Sequence, residues 1–262
     1  MSEVQRRPAS TMSTERRYGI AISVALILGG VYWAMTGLSE ETKTSQHSYQ
    51  VQGESLVVET TSADVEVRAG DGSEVKLERT SERNMFGSDP KEKYSDGKLE
   101  LRDSGCGFLS FGCDTNYILT VPKDVELTLE SSSGNIKVSG LPDGASLKSS
   151  SGDIEAHDVG GSLRMESSSG DLEGHGLTAT SVTTESSSGG AELDFATAPQ
   201  SVKARASSGD VSIRLPSGAE SYKVDTDTSS GDESANVKID PSGTRTISAT
   251  TSSGDVTVEY NN

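Results

Sequence analysis

The side chains of this 262-residue chain that could do chemistry recur at regular intervals. The tripeptide Ser-Ser-Gly occurs seven times, with glycines at Gly134, Gly152, Gly170, Gly189, Gly209, Gly231 and Gly254. Asn135, Asp153, Asp171, Asp210, Asp232 and Asp255 follow six of them, and Gly190 breaks the series. If the repeats stack, hydroxyls and carboxylates fall into columns. A hydroxyl column could bind sugar or ice. A carboxylate column could hold calcium, which takes six to eight oxygen ligands. The calcium-binding nonapeptide, Gly-Gly-x-Gly-x-Asp, is absent, however. Asx beside a corner glycine also suits a turn, where its side chain bonds local backbone. Turn chemistry and an internal serine ladder are therefore the expected roles, with no metal or cofactor.

The remaining reactive residues are sparse. His157 and His175 stand alone in the sequence, each read as a loop residue rather than a catalyst. Sugar cleavage generally needs paired carboxylates, or a metal and a basic group, in a cleft, often with aromatic platforms, and the single tryptophan, Trp33, lies in an apolar run outside the repeats. A polysaccharide-acting β-helix enzyme is thus the weakest reading, and the chain is expected not to be an enzyme. Cys106 and Cys113 share one Gly-rich loop with Phe108, Leu109 and Phe111. In an exported domain they predict a local disulfide, pinning a loop that caps the solenoid or offers an apolar contact.

The elements that must position these residues follow from the spacing. Successive glycines lie 18, 18, 19, 20, 22 and 23 residues apart, and a near-fixed unit of that length signals a solenoid. Within each unit hydrophobicity alternates with period two, as in half-buried strands. Ala145, Leu147, Ser149 and Ser151 share one face, and Ile154 and Ala156 resume it beyond the glycine. Leu163, Met165, Ser167, Ser169 and Leu172 repeat the pattern, as do Ile247, Ala249, Thr251, Ser253, Val256 and Val258. The parity change at the glycine implies a bend or bulge at which glycine supplies a positive φ. The serine directly before each glycine (Ser133, Ser151, Ser169, Ser188, Ser208, Ser230 and Ser253) is expected to point inward. The fold class is all-β, a β-solenoid of the single-stranded β-helix type with about 18–23 residues per coil, preceded by one transmembrane helix. The first coil is degenerate, with Leu56, Val58, Thr60 and Ser62 inward and Ala63 in the glycine's place. Further strands are expected over 74–77, 98–101, 116–121 and 125–129, and a long loop over 80–96.

Val121 to Val125 (Val-Pro-Lys-Asp-Val), followed by repeated Ser-Ser-Gly-Asp-Ile/Val/Leu, resembles a bacterial adhesin-type family of β-strand repeats whose domain has no assigned function. The likeness runs from about Gln50 to Tyr260. It implies the β-solenoid fold and a position in the cell envelope, where some members sit beside envelope-stress sensors. It carries over no catalytic or ligand residue.

From Tyr18 to Ser39 no residue is charged, and as a helix this stretch spans about 33 Å, enough for a bilayer core. Arg6, Arg7, Arg16 and Arg17 precede it and Glu40 and Glu41 follow, so the positive-inside rule leaves the N-terminus cytoplasmic. The expected organisation is a cytoplasmic tail over 1–17, a transmembrane helix over 18–39, a polar linker over 40–49 and an extracytoplasmic solenoid over 50–262. A cleaved signal peptide is the rival reading of the apolar run. The net charge is −17, and four arginines against two glutamates in the tail leave −19 beyond it. Such acidity argues against nucleic acid and anionic lipid headgroups.

The expected function is an adhesin-like binding or scaffolding domain at the bacterial cell envelope. Its partner would be an envelope polymer or a membrane protein. The alternative is a partner protein of an envelope-stress system. The last coil ends at Tyr260 with no evident cap, which predicts end-to-end pairing with another chain.

Overall fold

The computed structural model describes residues 41–51, 53–83, 90–102 and 115–261. The apolar run over 18–39 and both cysteines, Cys106 and Cys113, lie outside the described residues. Among the described residues there are strands and no helix, so none long and apolar enough to cross a membrane.

The N-terminal part contributes β1 (Glu41–Gln50), β2 (Ser55–Thr60), β3 (Asp64–Gly70), β4 (Glu74–Arg83), β5 (Lys91–Ser95), β6 (Lys98–Arg102) and β7 (Thr115–Pro122). The regular coils follow as strand pairs: β8 (Glu126–Ser131) and β9 (Ile136–Ser139), β10 (Gly144–Ser149) and β11 (Ile154–His157), β12 (Ser162–Ser167) and β13 (Leu172–Leu177). Next come β14 (Ser181–Ser186) and β15 (Ala191–Phe195), then β16 (Ser201–Ala206) and β17 (Val211–Leu215). The last two pairs are β18 (Lys223–Thr228) with β19 (Glu233–Asn236), and β20 (Thr246–Thr251) with β21 (Val256–Tyr260).

Each coil gives one strand to each of two sheets. One sheet has the order β1-β4-β7-β3-β9-β11-β13-β15-β17-β21-β19, and the other β18-β20-β16-β14-β12-β10-β8-β2-β6-β5. All repeat pairings are parallel and in register, as in Ala145↔Leu163 and Leu147↔Met165, save for an irregularity between Gly174 and Leu177 where β13 meets β15. The inward side chains of both sheets merge into one core that runs from Leu56 to Val258. The alternation read from sequence holds along the strands: Ala145, Leu147, Ile154, Ala156, Leu163, Met165 and Leu172 are buried. Ala63 also takes the glycine's place as expected, buried beside Val65.

Several expectations are corrected. The segment 40–49, read as a linker, contains β1, which pairs antiparallel with β4 over ten residues. Its polar sequence alternates without an apolar face, so nothing marked it as a strand except a partner far along the chain. The loop expected over 80–96 is shorter, because β4 runs to Arg83 and β5 occupies Lys91–Ser95. Arg79 explains why these charged strands stay together. It is buried, and its guanidinium donates to Glu92 Oε1 at 2.7 Å and to the Pro90 carbonyl at 3.2 Å. His47 Nδ1 lies 3.1 Å from the other Glu92 oxygen. This buried pair ties β4 of one sheet to β5 of the other.

The coils are also not stacked in chain order at either end. The β6–β7 coil lies outside β2–β3, although it follows it in sequence. At the far end the last coil, β20–β21, inserts between β16–β17 and β18–β19. The predicted open edge at Tyr260 is therefore covered, and the outermost coil is β18–β19. Composition accounts for the exchange. β20 and β21 bury Ile247, Ala249, Val256 and Val258, whereas the inner side of β18 offers one valine, Val224, and two threonines, Thr226 and Thr228. The more polar coil takes the position with water on one flank, as edge strands generally do.

Candidate functional site

The Ser-Ser-Gly-Asx corner is the feature sequence reading singled out, and the structure departs from the expectation in which serine is buried, in what four of the glycines do and in which backbone the Asx side chains bond. Ser151 and its counterparts directly before the glycines are exposed, and the glycines of the first four repeats are buried instead. The buried hydroxyl sits three residues before the glycine, in Ser131, Ser149, Ser167 and Ser186. Each accepts the N–H of its own glycine: Gly134 to Ser131 Oγ at 3.0 Å, Gly152 to Ser149 at 2.8 Å, Gly170 to Ser167 at 2.8 Å and Gly189 to Ser186 at 2.9 Å. Ser167 and Ser186 also donate to the previous coil's glycine carbonyl, at 3.3 and 3.2 Å.

These four glycines avoid the left-handed region; only Gly209, Gly231 and Gly254 have the positive φ expected, at 152°, 155° and 144°. What requires glycine in the first four is close approach. A Cβ on Gly152 or Gly170 would overlap the carbonyl oxygen of the preceding corner glycine. Successive corners thus stack backbone on backbone, with no room for a side chain.

The acidic column is a hydrogen-bond ladder. Each Asx Oδ1 accepts the backbone N–H of the next coil: Asn135 to Asp64 at 2.8 Å, Asp153 to Asn135 at 3.0 Å, Asp171 to Asp153 at 2.9 Å and Gly190 to Asp171 at 2.7 Å. It resumes with Asp255 to Asp210 and Asp232 to Asp255, both at 2.8 Å. Gly190 donates its N–H to Asp171 and, having no side chain, offers no acceptor to the following coil. An amide oxygen serves as well as a carboxylate, since Asn135 sits in mid-ladder.

With the buried serines and the Asx residues taken up by bonding at the corners, the surface consists of the exposed Ser-Ser pairs and the outward rows. On the β9–β21 sheet one row runs Lys137, Glu155, Glu173 and Glu192, and its neighbour brings together His157 and His175. The isolated histidines of the sequence are thus adjacent, with ring centroids 5.1 Å apart, on strands rather than loops. Their separation of 18 residues equals the local repeat, as does that of Glu155 and Glu173, a signal that sequence reading could have used. Lys137 Nζ bonds Glu155 Oε2 at 2.9 Å. That bond, with His157 beside it, holds the Glu155 carboxyl below its usual range. A shallow groove of about 530 Å³ runs across this face, lined by Asp64, Glu66, Asn135, Lys137, Asp153 and Glu155 among others.

The model of the Toastrack DUF4097 family matches residues 53–194 and 143–259. Among solved structures, a putative adhesin from Bacteroides fragilis is 14% identical, with 84% of this chain and 97% of that one covered at a TM-score of 0.48. A putative cell adhesion protein from Clostridium sporogenes is 10% identical, over 84% of this chain and 100% of that one, at 0.39. A putative lipid binding protein from Parabacteroides distasonis is 12% identical, over 84% and 97%, at 0.41. No curated protein matches the chain.

Proposed function

We propose a contact function for this chain, which belongs to the Toastrack DUF4097 family: an adhesin-like binding or scaffolding domain, held at the bacterial cell envelope by the apolar segment 18–39. The carrying observation is the allocation of residues. The buried serines hold the corner of their own coil and the Asx residues bond coil to coil, so the outward rows are left to vary and to meet a partner. Eleven strands at about 4.8 Å spacing make a rod face of roughly 48 Å. The apolar run ends at Ser39 and β1 begins at Glu41, so the anchor would set the end bearing β1 and β5 at the membrane and present β18–β19 outward. An envelope polymer suits the long, flat face with its shallow groove.

Co-sedimentation of the detergent-solubilised full chain with purified cell-wall material tests this reading. Binding that saturates and survives moderate salt supports it. Loss of binding at moderate salt would mean charge alone is responsible, and no binding at all would reject the polymer.

A second reading, a protein partner such as an envelope-stress component or a second copy of the chain, draws on the outward end. The β18–β19 coil has a neighbour on one side only, and Ile239 beside it is 52% exposed. Crosslinking in intact membranes that captures a partner through this coil would favour it.

A further inference from the structure

Glu155 and His157 on β11 face Glu173 and His175 on β13, paired in register as Glu155↔Glu173 and His157↔His175. Two Glu-x-His segments on neighbouring strands put four potential ligands at the corners of one small square, all on the outer side. We propose that this square binds a single divalent transition-metal ion of the zinc class.

Three features support the assignment. The first is convergence: a ligating atom from each of Glu155, Glu173 and His175 lies within 4.8 Å of the others. His157 Nε2 bonds Glu155 Oε1, so the fourth ligand already meets the first. Zinc bonds of about 2.0–2.2 Å to nitrogen and oxygen need these atoms to close by only a small rotation of exposed side chains.

The second is the orientation of the imidazoles. His175 turns Nε2 toward Glu173, at 3.4 Å, and Nδ1 toward Asp194 Oδ2, at 4.0 Å. Nε2 thus already lies against a second ligand of the square, and a carboxylate stands near Nδ1, where a modest approach would give the backing that supports most metal-bound histidines.

The third is the chemistry of the donor set. Two imidazoles with two carboxylates suit zinc, copper or nickel better than calcium, which prefers oxygen alone. This separates the square from the Asx ladder, whose oxygens already accept backbone N–H groups. Lys137, bonded to Glu155 Oε2 at 2.9 Å, is the local competitor, and metal binding would weaken that ion pair. The inference is independent of what the outer face adheres to.

The test is calorimetric titration of the chelator-stripped full chain with zinc ion in the presence of excess calcium. One saturating equivalent is expected, with at least a tenfold loss of affinity in the His157→Ala/His175→Ala double variant and in Glu173→Gln. Asp153→Asn, in the ladder, should bind as the wild type does. Cobalt ion should develop the strong visible absorption of a four-coordinate site in the wild type and not in the double variant. Since all four side chains are partly exposed, melting curves without metal should coincide. Absence of saturable binding, or equal binding by the double variant, would show only diffuse attraction to an acidic surface and would overturn the proposal.

Discussion

The corners of the four coils ending at Gly134, Gly152, Gly170 and Gly189 differ from those at Gly209, Gly231 and Gly254, although all seven carry Ser-Ser-Gly. In the first group a serine stands three residues before the glycine and accepts that glycine's N–H within the coil. In the second group the position holds Ala206, Thr228 or Thr251. There Gly209 donates to the Ser253 carbonyl at 2.9 Å and Gly254 to the Ser230 carbonyl at 3.0 Å, both in a neighbouring coil, and the glycines take a positive φ. Ala206 has no acceptor to offer, so its glycine must turn to the next coil. The threonines keep only the donating half of the serine's bonding, since Thr251 donates to the Gly209 carbonyl and Thr228 to the Gly254 carbonyl, each at 2.9 Å. A buried N–H is satisfied in either geometry. What differs is whether a side chain or a neighbouring backbone does it.

The largest effect that separates the two groups should come from Gly170→Ala. Its Cβ would press on backbone of the coils already in place, and a loss of about 3 kcal/mol or more is expected by chemical denaturation. A Cβ on Gly231 would meet the Gly254 carbonyl just as closely and at a positive φ, but Gly231→Ala should cost less, because β18–β19 has a neighbour on one side only and can shift toward water.

Ser167→Ala ranks next. It strips the Gly170 N–H of its acceptor and the Gly152 carbonyl of a donor in a buried corner, for about 2 kcal/mol. Thr251→Ala removes one donated bond and leaves the Gly254 N–H satisfied, so about half that loss is expected from the same denaturation curves.

A smaller effect is expected in the exposed ladder. Asp153→Ala leaves the Asp171 N–H to water and should cost about 1 kcal/mol, while Asp153→Asn should be neutral, as Asn135 already is. Because oxygen geometry rather than charge matters there, calcium ion added to the chelator-stripped chain should leave the melting temperature unchanged; a substantial rise would point to bound calcium instead.

The smallest effect concerns the outer face. Glu155 has a folded-state pKa below its unfolded value, chiefly through Lys137. Its contribution is present above the ordinary glutamate pKa and disappears as pH falls through the lowered one. The pair is partly exposed and screened, so its value is a fraction of a kcal/mol. The melting-temperature difference between wild type and Lys137→Met should therefore be small at neutral pH and vanish in acid.

The glycine spacing and the period-two alternation made the coil, its strands and most of its core legible, because Leu147, Ile154, Met165 and Val256 have one face on which they can be buried. The corner was misread at one position, the serine directly before the glycine. Counting parity back from the glycine placed Ser151 inside, whereas the bend there turns Ser150 and Ser151 both outward and leaves Ser149 and Gly152 within. The order of coils at the two ends was not legible at all, since every coil offers a similar row of small apolar side chains and only the balance of polarity decides which lies outermost. Strand β1 was hidden for a related reason: its polar residues acquire a structure only against β4. The Glu-His square was legible in principle through its 18-residue offset, but the histidines were weighed one at a time.

Amide hydrogen exchange at the corner glycines, in the wild type and in Ser167→Ala, tests most directly whether the serine three residues ahead holds its own glycine. Gly170 should be strongly protected in the wild type and lose that protection in the variant, while Gly209, bonded to a neighbouring backbone, should be protected equally in both. Undiminished protection of Gly170 in the variant would contradict the account.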